Sequence, residues 1–250
     1  MEKYLILNET KSTQEYLTID QIICTIRSDP ESQYYKFIDG EKILINNSLV
    51  CNTIFIAHRI NTLDELGTIN KIFGVELDLR DDWTNGKIII SHDPFVQGED
   101  FETYLSKYKG QTIILNVKSE RVELKCLELI FKYKIQNYFF LDSSFPMIYM
   151  LNTKYSNNNI ACRFSEYEPI ELYLSNYKMT QWVWVDCFMT QPLTYEIYCK
   201  IKELEGKICI VSPELQAQQD KIFEYRNYFI QNNIIPNAIC CKKYNIIKWI

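Results

Sequence analysis

Histidine is scarce in this chain of 250 residues, and it has neither a long apolar run nor a large excess of one charge. It has only two histidines and no cysteine placed to assist them, which argues against a zinc site. No apolar run approaches the roughly 18–20 residues of a membrane-spanning helix, and the first residues lack the features of a signal peptide. We therefore expect no stable membrane insertion.

The charge balance argues against a nucleic-acid partner. The chain carries 27 basic and 32 acidic residues, a net charge of −5, without a cluster of Lys or Arg. Proteins that bind nucleic acid or a membrane surface usually present a basic patch. A small-molecule ligand is therefore expected, and the sequence leaves the oligomeric state open.

The nine cysteines are interpreted as reduced thiols. Nine is an odd number, and most of these residues lie in apolar strand-like runs, among them Cys162, Cys187, Cys209, Cys240 and Cys241. Buried free thiols behave as small hydrophobic side chains. This use of cysteine predicts a cytoplasmic protein.

Eight β-rich runs alternate with helical ones from residue 53 onward. The predicted strands are Thr53–Arg59, Gly74–Arg80, Thr112–Lys118, Tyr138–Ser143, Ile160–Ser165, Trp182–Phe188, Lys207–Ser212 and Ala238–Lys242. The predicted helices are Leu63–Phe73, Arg121–Ile135, Phe145–Tyr155, Ile170–Lys178, Leu193–Leu204 and Ala217–Asn233. This α/β alternation fits a (β/α)8 TIM barrel over residues 51–250, with a doubly wound open sheet as the alternative.

Two further features interrupt or precede the barrel pattern. An Asn-Gly turn within Asp82–Lys87 predicts a small hairpin insertion after the second strand. Residues 1–50 are predicted to be an N-terminal extension packed on the barrel. In this extension we expect a helix over Leu17–Ser28 and a hairpin over Tyr35–Asn46, around Asp39-Gly40.

Both histidines end strand-like runs, and a pair of carboxylates lies between them. Glu76 and Asp78 are two residues apart, so on a strand they share a face and can bind one hard cation; a salt-bridged pair is the alternative. His58 and His92 titrate near neutrality and can share acid and base catalysis, or else have structural roles.

Other polar residues follow the remaining strands, and in a barrel these strand ends meet at one mouth. They are Asn116, Lys118, Asp142, Arg163, Glu166, Asp186, Ser212, Glu214 and Lys242. We interpret Glu166, Asp186, Glu214 and Lys242 as ion-pair partners rather than ligands.

His58-Arg59, Glu76-x-Asp78, His92-Asp93 and Asn116-x-Lys118 together resemble the glycerophosphodiester phosphodiesterase family, which is similar to phosphatidylinositol-specific phospholipase C. The matching motifs are concentrated between about residue 53 and residue 118. It implies a phosphoric diester hydrolase in which the two histidines are acid and base. It also implies that Glu76 and Asp78 bind one Mg²⁺ or Ca²⁺, with Mn²⁺ as a further candidate, and that Lys118 contacts the phosphate.

Two positions depart from the family pattern. Asn116 stands where the family usually has a glutamate ligand, so it is either a weaker metal ligand or a hydrogen-bond partner of one. Glu120 or Asp142 is a candidate to compensate. Ile60 replaces a frequent glycine. Arg59 is expected either to contact phosphate or to orient Glu76.

The expected function is cleavage of a small soluble phosphodiester with a polar alcohol as the leaving group. Arg163, Glu166, Glu214 and Lys242 bring both charge signs to the mouth, which suits a hydroxyl-rich group better than an acyl chain. The alternatives are a non-catalytic barrel that binds a phosphorylated ligand and a phosphomonoesterase on the same scaffold.

Overall fold

The N-terminal segment forms a small antiparallel sheet and a helix. The computed structural model of the protein describes residues 2–38, 40–45, 47–82 and 84–250. Its first elements are β1 Tyr4–Asn8, β2 Thr13–Leu17, α1 Ile19–Ser28, β3 Tyr34–Ile38, β4 Glu41–Leu44 and α2 Asn47–Asn52. The strand order is β2-β1-β3-β4. The predicted helix and hairpin are confirmed, although Asp39 and Asn46 lie outside the described residues.

Strands and helices alternate through the rest of the chain. The elements are β5 Ile54–Ala57, α3 Leu63–Gly67, β6 Gly74–Asp81, β7 Ile88–Ile90, β8 Glu99–Asp100, α4 Phe101–Lys107, β9 Ile113–Val117, α5 Val122–Lys132, β10 Tyr138–Leu141, α6 Phe145–Tyr155, β11 Ala161–Phe164, α7 Glu171–Asn176, β12 Trp182–Val185, α8 Tyr195–Glu203, β13 Lys207–Val211, α9 Ile222–Gln231, β14 Ala238–Cys241 and α10 Ile246–Trp249. A strand occupies each predicted strand range, and a helix each predicted helix range. None of the described helices is long and apolar enough to cross a membrane.

In the large sheet, neighbouring parallel strands mostly follow one another along the chain, and the first of them also pairs with the last. Neighbouring parallel strands run β10-β9-β6-β5-β14-β13-β12-β11. β5 and β14, which come first and last of these strands in the sequence, pair from Ile54↔Ala238 to Ala57↔Cys241. At the two ends of the order, Phe140 of β10 forms an isolated parallel bridge with Ile160, directly before β11. A mixed α/β fold with a large sheet is confirmed, and β5 and β14 are not at opposite edges of it.

Alternate side chains of the strands belong to different buried clusters. One cluster consists almost entirely of strand residues, including Ile56, Ile114, Phe139, Trp182, Trp184, Cys209 and Cys240. The other two combine strand and helix residues. Cys240 and the adjacent Cys241 belong to different clusters, so they point to opposite faces of the sheet. The five cysteines predicted to be buried are all buried.

An antiparallel extension after β6 carries the second histidine. β7 pairs with β6 from Leu79↔Ile90 to Asp81↔Ile88, and β8 pairs with β7. In the connecting turn, Gly86 has a φ of 69°, a left-handed conformation that glycine adopts without strain. Trp83 in the same turn lies outside the described residues. The predicted hairpin insertion after the second parallel strand is confirmed.

Two buried basic side chains join the N-terminal sheet to the C-terminal end of the chain. Lys36 of β3 is buried and donates a hydrogen bond to the carbonyl of Ile247. Arg226 of α9 donates to three backbone carbonyls, those of Leu44, Trp249 and Ile250. Burial, and then the charge of Arg226, lowers the pKa of Lys36 to about 6. The domain boundary at residue 50 stays a prediction.

Replacing Lys36 with methionine tests the cost of this burial. Because the folded-state pKa of about 6 lies below the ordinary value of 10.5, the unfolded chain binds more protons between these pH values. Stability therefore rises with pH. Between about pH 7 and pH 9, the free energy of unfolding of the wild type should increase by about 3 kcal/mol relative to that of Lys36→Met. Urea unfolding followed by circular dichroism measures this gain.

Lys42→Met is the matched control, because it removes an exposed lysine from the neighbouring strand β4. Its pH dependence should equal that of the wild type. Parallel pH curves for the wild type and Lys36→Met would contradict the prediction.

Candidate active site

The predicted site residues of three strands lie together at the carboxyl edge of the sheet. His58 and Arg59 directly follow β5, Glu76 and Asp78 lie on β6, and Asn116 lies near the end of β9. β6 and β9 pair in parallel, with Asp78 opposite Asn116. Side chains two residues apart on a strand share a face, and Glu76 and Asp78 are both 0% exposed. The strand register therefore brings two buried carboxylates and one amide into a single cluster.

Glu76 accepts hydrogen bonds on both carboxylate oxygens. Oε1 accepts from Nδ2 of Asn116 at 2.8 Å, and Oε2 accepts from the backbone N–H of Arg59 at 2.8 Å. Arg59 has a φ of 54°, a left-handed conformation that is uncommon for residues other than glycine. Nε2 of His58 lies 3.8 Å from Oε2 of Glu76. Arg59 thus orients Glu76 through its backbone, one of the two roles expected for this residue.

Asp78 is anchored by Asn61. Its Oδ2 accepts from Nδ2 of Asn61 at 2.9 Å, and its backbone N–H donates to Oδ1 of Asn61 at 3.1 Å. Two cationic groups approach the carboxylate without a hydrogen bond: Nε of Arg59 lies 3.7 Å from Oδ2, and Nζ of Lys118 lies 3.6 Å from Oδ1. Among the described residues, the Asp78 carboxylate therefore accepts a hydrogen bond on Oδ2 and none on Oδ1.

Two oxygens in this cluster are buried and, within the described residues, have no hydrogen-bond partner. They are Oδ1 of Asp78 and Oδ1 of Asn116. An unsatisfied buried polar atom costs roughly 1–3 kcal/mol, and hard divalent cations prefer carboxylate and amide oxygens. No group of three His, Cys, Asp or Glu side chains in the described part of the chain could hold a metal ion. A cation at this point would therefore depend on Asn116 together with Glu76 and Asp78.

The two carboxylates repel each other. Burial, and then the charge of Asp78, raises the pKa of Glu76 to about 7, against the opposing effect of its hydrogen bonds to Asn116 and Arg59. A neighbouring like charge in a buried site disfavours the ionised state of a carboxyl group. A divalent cation beside Glu76 would offset this repulsion.

The two histidines lie in different surroundings. The side chain of His58 is 16% exposed, and its Nδ1 lies 3.1 Å from Nζ of Lys242, the residue that follows β14. Burial, followed by the charges of Lys242 and other nearby cations, lowers the pKa of His58 to about 3. The side chain of His92 is 43% exposed, and its Nδ1 lies 2.7 Å from Oδ1 of Asp93. Both histidines use Nδ1 for a protein contact.

Arg80 fixes the extension that carries His92. Its guanidinium donates to the carbonyl of His92 from Nε at 3.2 Å and from Nη2 at 2.9 Å, and to the carbonyl of Lys118 from Nη1 at 2.9 Å. Arg80 and Asn61 were not among the predicted site residues. Arg80 follows Asp78 by two positions on the same strand, and this spacing was a signal that could have identified it.

Lys118 and the ion pairs beside it form a second charged group at the strand ends. Nζ of Lys118 lies 3.6 Å from Oδ1 of Asp78 and 3.4 Å from Oδ2 of Asp142. Arg163 pairs with Asp142 and Asp186. The expected ion pairing is confirmed for Asp186. Asp142 is fully engaged by these cations and does not join the carboxylate cluster.

Within the part of the chain that the structure describes, three other charged residues do not form the ion pairs expected of them. Glu166 accepts hydrogen bonds from the backbone N–H groups of residues 188–190. Glu214 accepts from the backbone N–H of Lys242 at 3.0 Å, and the Lys242 ammonium contacts His58. These carboxylates hold loops at the strand ends. Glu120, the other candidate to compensate for Asn116, accepts from the Ser144 hydroxyl instead.

Solved structures with a similar fold include two glycerophosphodiester phosphodiesterases. The enzyme from Agrobacterium tumefaciens str. C58 matches with a TM-score of 0.58 at 10% identity, over 76% of this chain and 97% of that chain. The enzyme from Parabacteroides distasonis ATCC 8503 matches with a TM-score of 0.54 at 11% identity, over 99% of this chain and 93% of that chain. No protein-family model matches the sequence, and no curated protein matches it. At these identities the likeness shows the fold, and at that level it confirms the resemblance expected from the motifs.

The raised pKa of Glu76 predicts a stability loss with rising pH when no divalent cation is present. The folded-state pKa of about 7 exceeds the ordinary value of 4.5, so the folded chain binds more protons between these values. Stability therefore falls as pH rises through this window. Thermal unfolding in chelator should show the wild type losing stability relative to Glu76→Gln from about pH 5 to pH 8. Glu31→Gln, at an exposed glutamate, is the control; an unchanging gap between the wild type and Glu76→Gln would refute the prediction.

Proposed function

We propose that the protein is a metal-dependent phosphodiesterase of the glycerophosphodiester phosphodiesterase family. The observation that carries this proposal is the cluster of His58, Glu76, Asp78 and Lys118 at one edge of the sheet, beside two buried oxygens without hydrogen bonds. This cluster combines groups for proton transfer, cation binding and phosphate binding. The fold shared with two solved glycerophosphodiester phosphodiesterases supports the same reaction class.

The proposal includes closure of the large sheet into a (β/α)8 TIM barrel. Two observations support closure: the parallel bridge between Phe140 and Ile160, and the hydrogen bond from the Phe140 N–H to the carbonyl of Asn159 at 2.9 Å. With β5 and β14 already paired, these contacts join the two ends of the strand order. In a closed barrel the carboxyl ends of all strands surround one mouth, where barrel enzymes have their active sites.

Glu76, Asp78 and Asn116 would hold one divalent cation, Mg²⁺ or Ca²⁺, with Mn²⁺ as a further candidate. The open oxygens of Asp78 and Asn116 and the raised pKa of Glu76 support this set. All of these proposed metal-ligand atoms are oxygens, which favours hard ions over zinc. Once bound, such a cation would neutralise negative charge on the phosphoryl oxygens. The amide at 116 supplies one charge less than the family's usual glutamate, so weaker cation binding is expected.

The side chains of the protein supply phosphate binding and proton transfer. Lys118 and Arg59 are the cationic groups nearest the carboxylate cluster, and their side chains are 19% and 44% exposed, so both can reach a phosphate. One histidine accepts a proton from water or a neighbouring substrate hydroxyl, and the other donates one to the leaving alcohol. The catalytic residues of the proposal are therefore His58 and His92.

The substrate class follows from the charges around the mouth. Asp142, Arg163 and Asp186 form a network of both charge signs near Lys118. Such a surface suits a hydroxyl-rich or zwitterionic alcohol such as glycerol, a sugar or a polyol. Where this alcohol has a hydroxyl next to the ester, an internal attack should form a cyclic phosphate. We propose a soluble small-molecule substrate and a cytoplasmic location.

Asn116 favours a second candidate function. Its amide replaces the glutamate usual in the family, and its Nδ2 donates a hydrogen bond to Glu76. A barrel with a weakened cation site could bind a phosphorylated ligand without cleaving it. A phosphomonoesterase on the same scaffold is the remaining alternative. Binding of a glycerophosphodiester without turnover would identify the non-catalytic binding protein. Turnover of phosphomonoesters but not of phosphodiesters would identify the phosphomonoesterase.

Calorimetric titration with Mg²⁺, Ca²⁺ and Mn²⁺ tests the cation site. The wild type should bind one equivalent, and a variant with both Glu76→Ala and Asp78→Ala should bind none. Asn116→Asp should bind about tenfold more tightly because it adds a third carboxylate. Asp142→Asn is the matched control, since this carboxylate is engaged by Lys118 and Arg163, and its affinity should equal that of the wild type. Undiminished binding in the double variant would exclude the site.

Turnover measurements test the reaction. With a divalent cation the wild type should hydrolyse soluble glycerophosphodiesters, and phosphorus NMR identifies the products. His58→Ala and His92→Ala should each lower kcat by about 10²–10⁴-fold with little change in KM, because they remove proton-transfer groups. Cleavage of vesicle-bound phospholipid with none of soluble diesters would contradict the proposed substrate class.

A further inference from the structure

A cavity of about 420 Å³ lies at the amino edge of the large sheet, opposite the edge that carries the candidate active site. Its lining includes the first residues of four parallel strands: Ile54 of β5, Tyr138 of β10, Trp182 of β12 and Lys207 of β13. At about 3.3 Å per strand residue, Ile54 lies about 13 Å from His58 at the other end of β5. The cavity is therefore separate from the cluster around Glu76.

The lining of this cavity is rich in side-chain amides. Six of its twelve residues are Asn or Gln, namely Asn52, Gln111, Gln136, Asn137, Asn159 and Asn237. Lys207 is the one charged residue among the described lining residues, although the chain as a whole has more acidic than basic residues. Ammonium and amide N–H groups donate hydrogen bonds to an anion, whereas a carboxylate would repel it. This composition favours an anionic ligand.

Two lysines at the cavity use amide oxygens as their partners. Nζ of Lys207 donates to Oε1 of Gln181 at 3.3 Å, and Nζ of Lys202, on α8, donates to Oδ1 of the lining residue Asn237 at 3.0 Å. Among the described residues, neither ammonium forms an ion pair with a carboxylate. Burial, followed by the charge of Lys207, lowers the pKa of Lys202. The two ammonium groups therefore repel each other, and a bound anion would offset this repulsion.

The hydrogen bonds of two lining amides determine what each can offer a ligand. Oδ1 of Asn237 accepts from Nζ of Lys202 and from the backbone N–H of Ile208 at 2.9 Å. Both lone pairs of this oxygen are thus in use, and Asn237 can offer a ligand its Nδ2 donor. Nδ2 of Asn52 donates to the carbonyl of Ser48 at 2.8 Å, and its Oδ1 can accept from a hydroxyl group. The cavity thus has donors for an anion and an acceptor for a hydroxyl group.

Trp182 forms the inner wall of the cavity and fixes the position of Lys207. Its side chain is buried in the cluster of strand residues and stacks on Phe139, with ring centroids 4.4 Å apart. Nζ of Lys207 lies 5.5 Å from the centroid of the Trp182 ring. An ammonium over an aromatic ring is attracted to it. The Lys207 charge is therefore held at the cavity instead of extending into solvent.

We propose that this amide-lined cavity binds the phosphate group of a small phosphorylated polyol. A phosphomonoester carries a charge of about −1.5 to −2 at pH 7, which matches the two ammonium groups. Its oxygens accept from Nζ of Lys207 and Nδ2 of Asn237, while Lys202 contributes its charge from behind Asn237. Hydroxyl groups of the alcohol donate to Oδ1 of Asn52 and to the other lining amides. Such binding requires neither a divalent cation nor the reaction proposed at the opposite edge.

Calorimetric titration with glycerol phosphate in the presence of a chelator tests the site. A variant with both Lys202→Met and Lys207→Met should bind at least about tenfold more weakly than the wild type, because it loses both charges. Lys200→Met is the matched control, since this exposed lysine of α8 pairs with Glu196 at 2.7 Å, and its affinity should equal that of the wild type. Binding should also persist in Lys118→Met, which removes the phosphate contact proposed at the opposite edge. Wild-type affinity in the double variant, or loss of all binding in Lys118→Met, would overturn the proposal.

Nitrogen-15 NMR of tryptophan-labelled wild type locates the ligand without relying on a variant that has to fold. The chain has four tryptophans, and Trp182→Phe identifies the indole signal of Trp182. Glycerol phosphate should shift this signal, with the same dissociation constant as the calorimetric titration. An unchanged Trp182 signal at saturating glycerol phosphate would contradict binding in this cavity.

Inorganic phosphate and glycerol distinguish the parts of the ligand. Glycerol phosphate should bind about tenfold more tightly than inorganic phosphate, because its hydroxyl groups add hydrogen bonds to the amides. Glycerol, which has no charge, should not bind in the same concentration range. Equal affinity for inorganic phosphate would refute the polyol part of the ligand, and equal affinity for glycerol would overturn the anion site.

Discussion

Glu76 and Asp78 are buried side by side on β6, and the geometry around them compensates two negative charges that water cannot reach. Removing an ion from water costs several kcal/mol unless partners replace the lost hydration. Those partners come from two separate segments: the turn after β5 supplies the Arg59 N–H and the Asn61 side chain, and β9 supplies Asn116. The left-handed backbone of Arg59 follows from this requirement.

The compensation is incomplete in a way that suits a phosphodiester. Lys118 and Arg59 approach Asp78 at 3.6 and 3.7 Å without a hydrogen bond, and Oδ1 of Asp78 has no hydrogen-bond partner among the described residues. A cation beside that oxygen would satisfy the carboxylates and leave both side chains free to bind a phosphoryl group. On the opposite side, Lys242 keeps a positive charge next to His58. The cationic groups that stabilise the buried carboxylates are thus also the groups proposed to bind the phosphate.

Much of this arrangement was predictable because it depends on local pattern. The eight parallel strands are buried on both faces over most of their length, so they read as nearly continuous apolar runs, and the Asn-Gly pair marked the extension after β6. By contrast, β2 is mostly exposed and lacks apolar alternation, so it was not predicted. The contact between His58 and Lys242 joins residues 184 positions apart through the pairing of β5 with β14. Its residue types were visible, but their proximity depends on the register of two strands at opposite ends of the chain.

Glu76, Asp78 and Asn116 form the proposed cation site on which this function depends. Anomalous diffraction from crystals soaked with Mn²⁺ tests it most directly, because the anomalous signal locates the metal without assumptions about activity. We expect a single strong peak within this cluster, with Oδ1 of Asp78 and Oδ1 of Asn116 among the ligands. Crystals of the double variant Glu76→Ala, Asp78→Ala should show no peak there. A peak elsewhere on the protein, with the cluster empty, would contradict the proposed site.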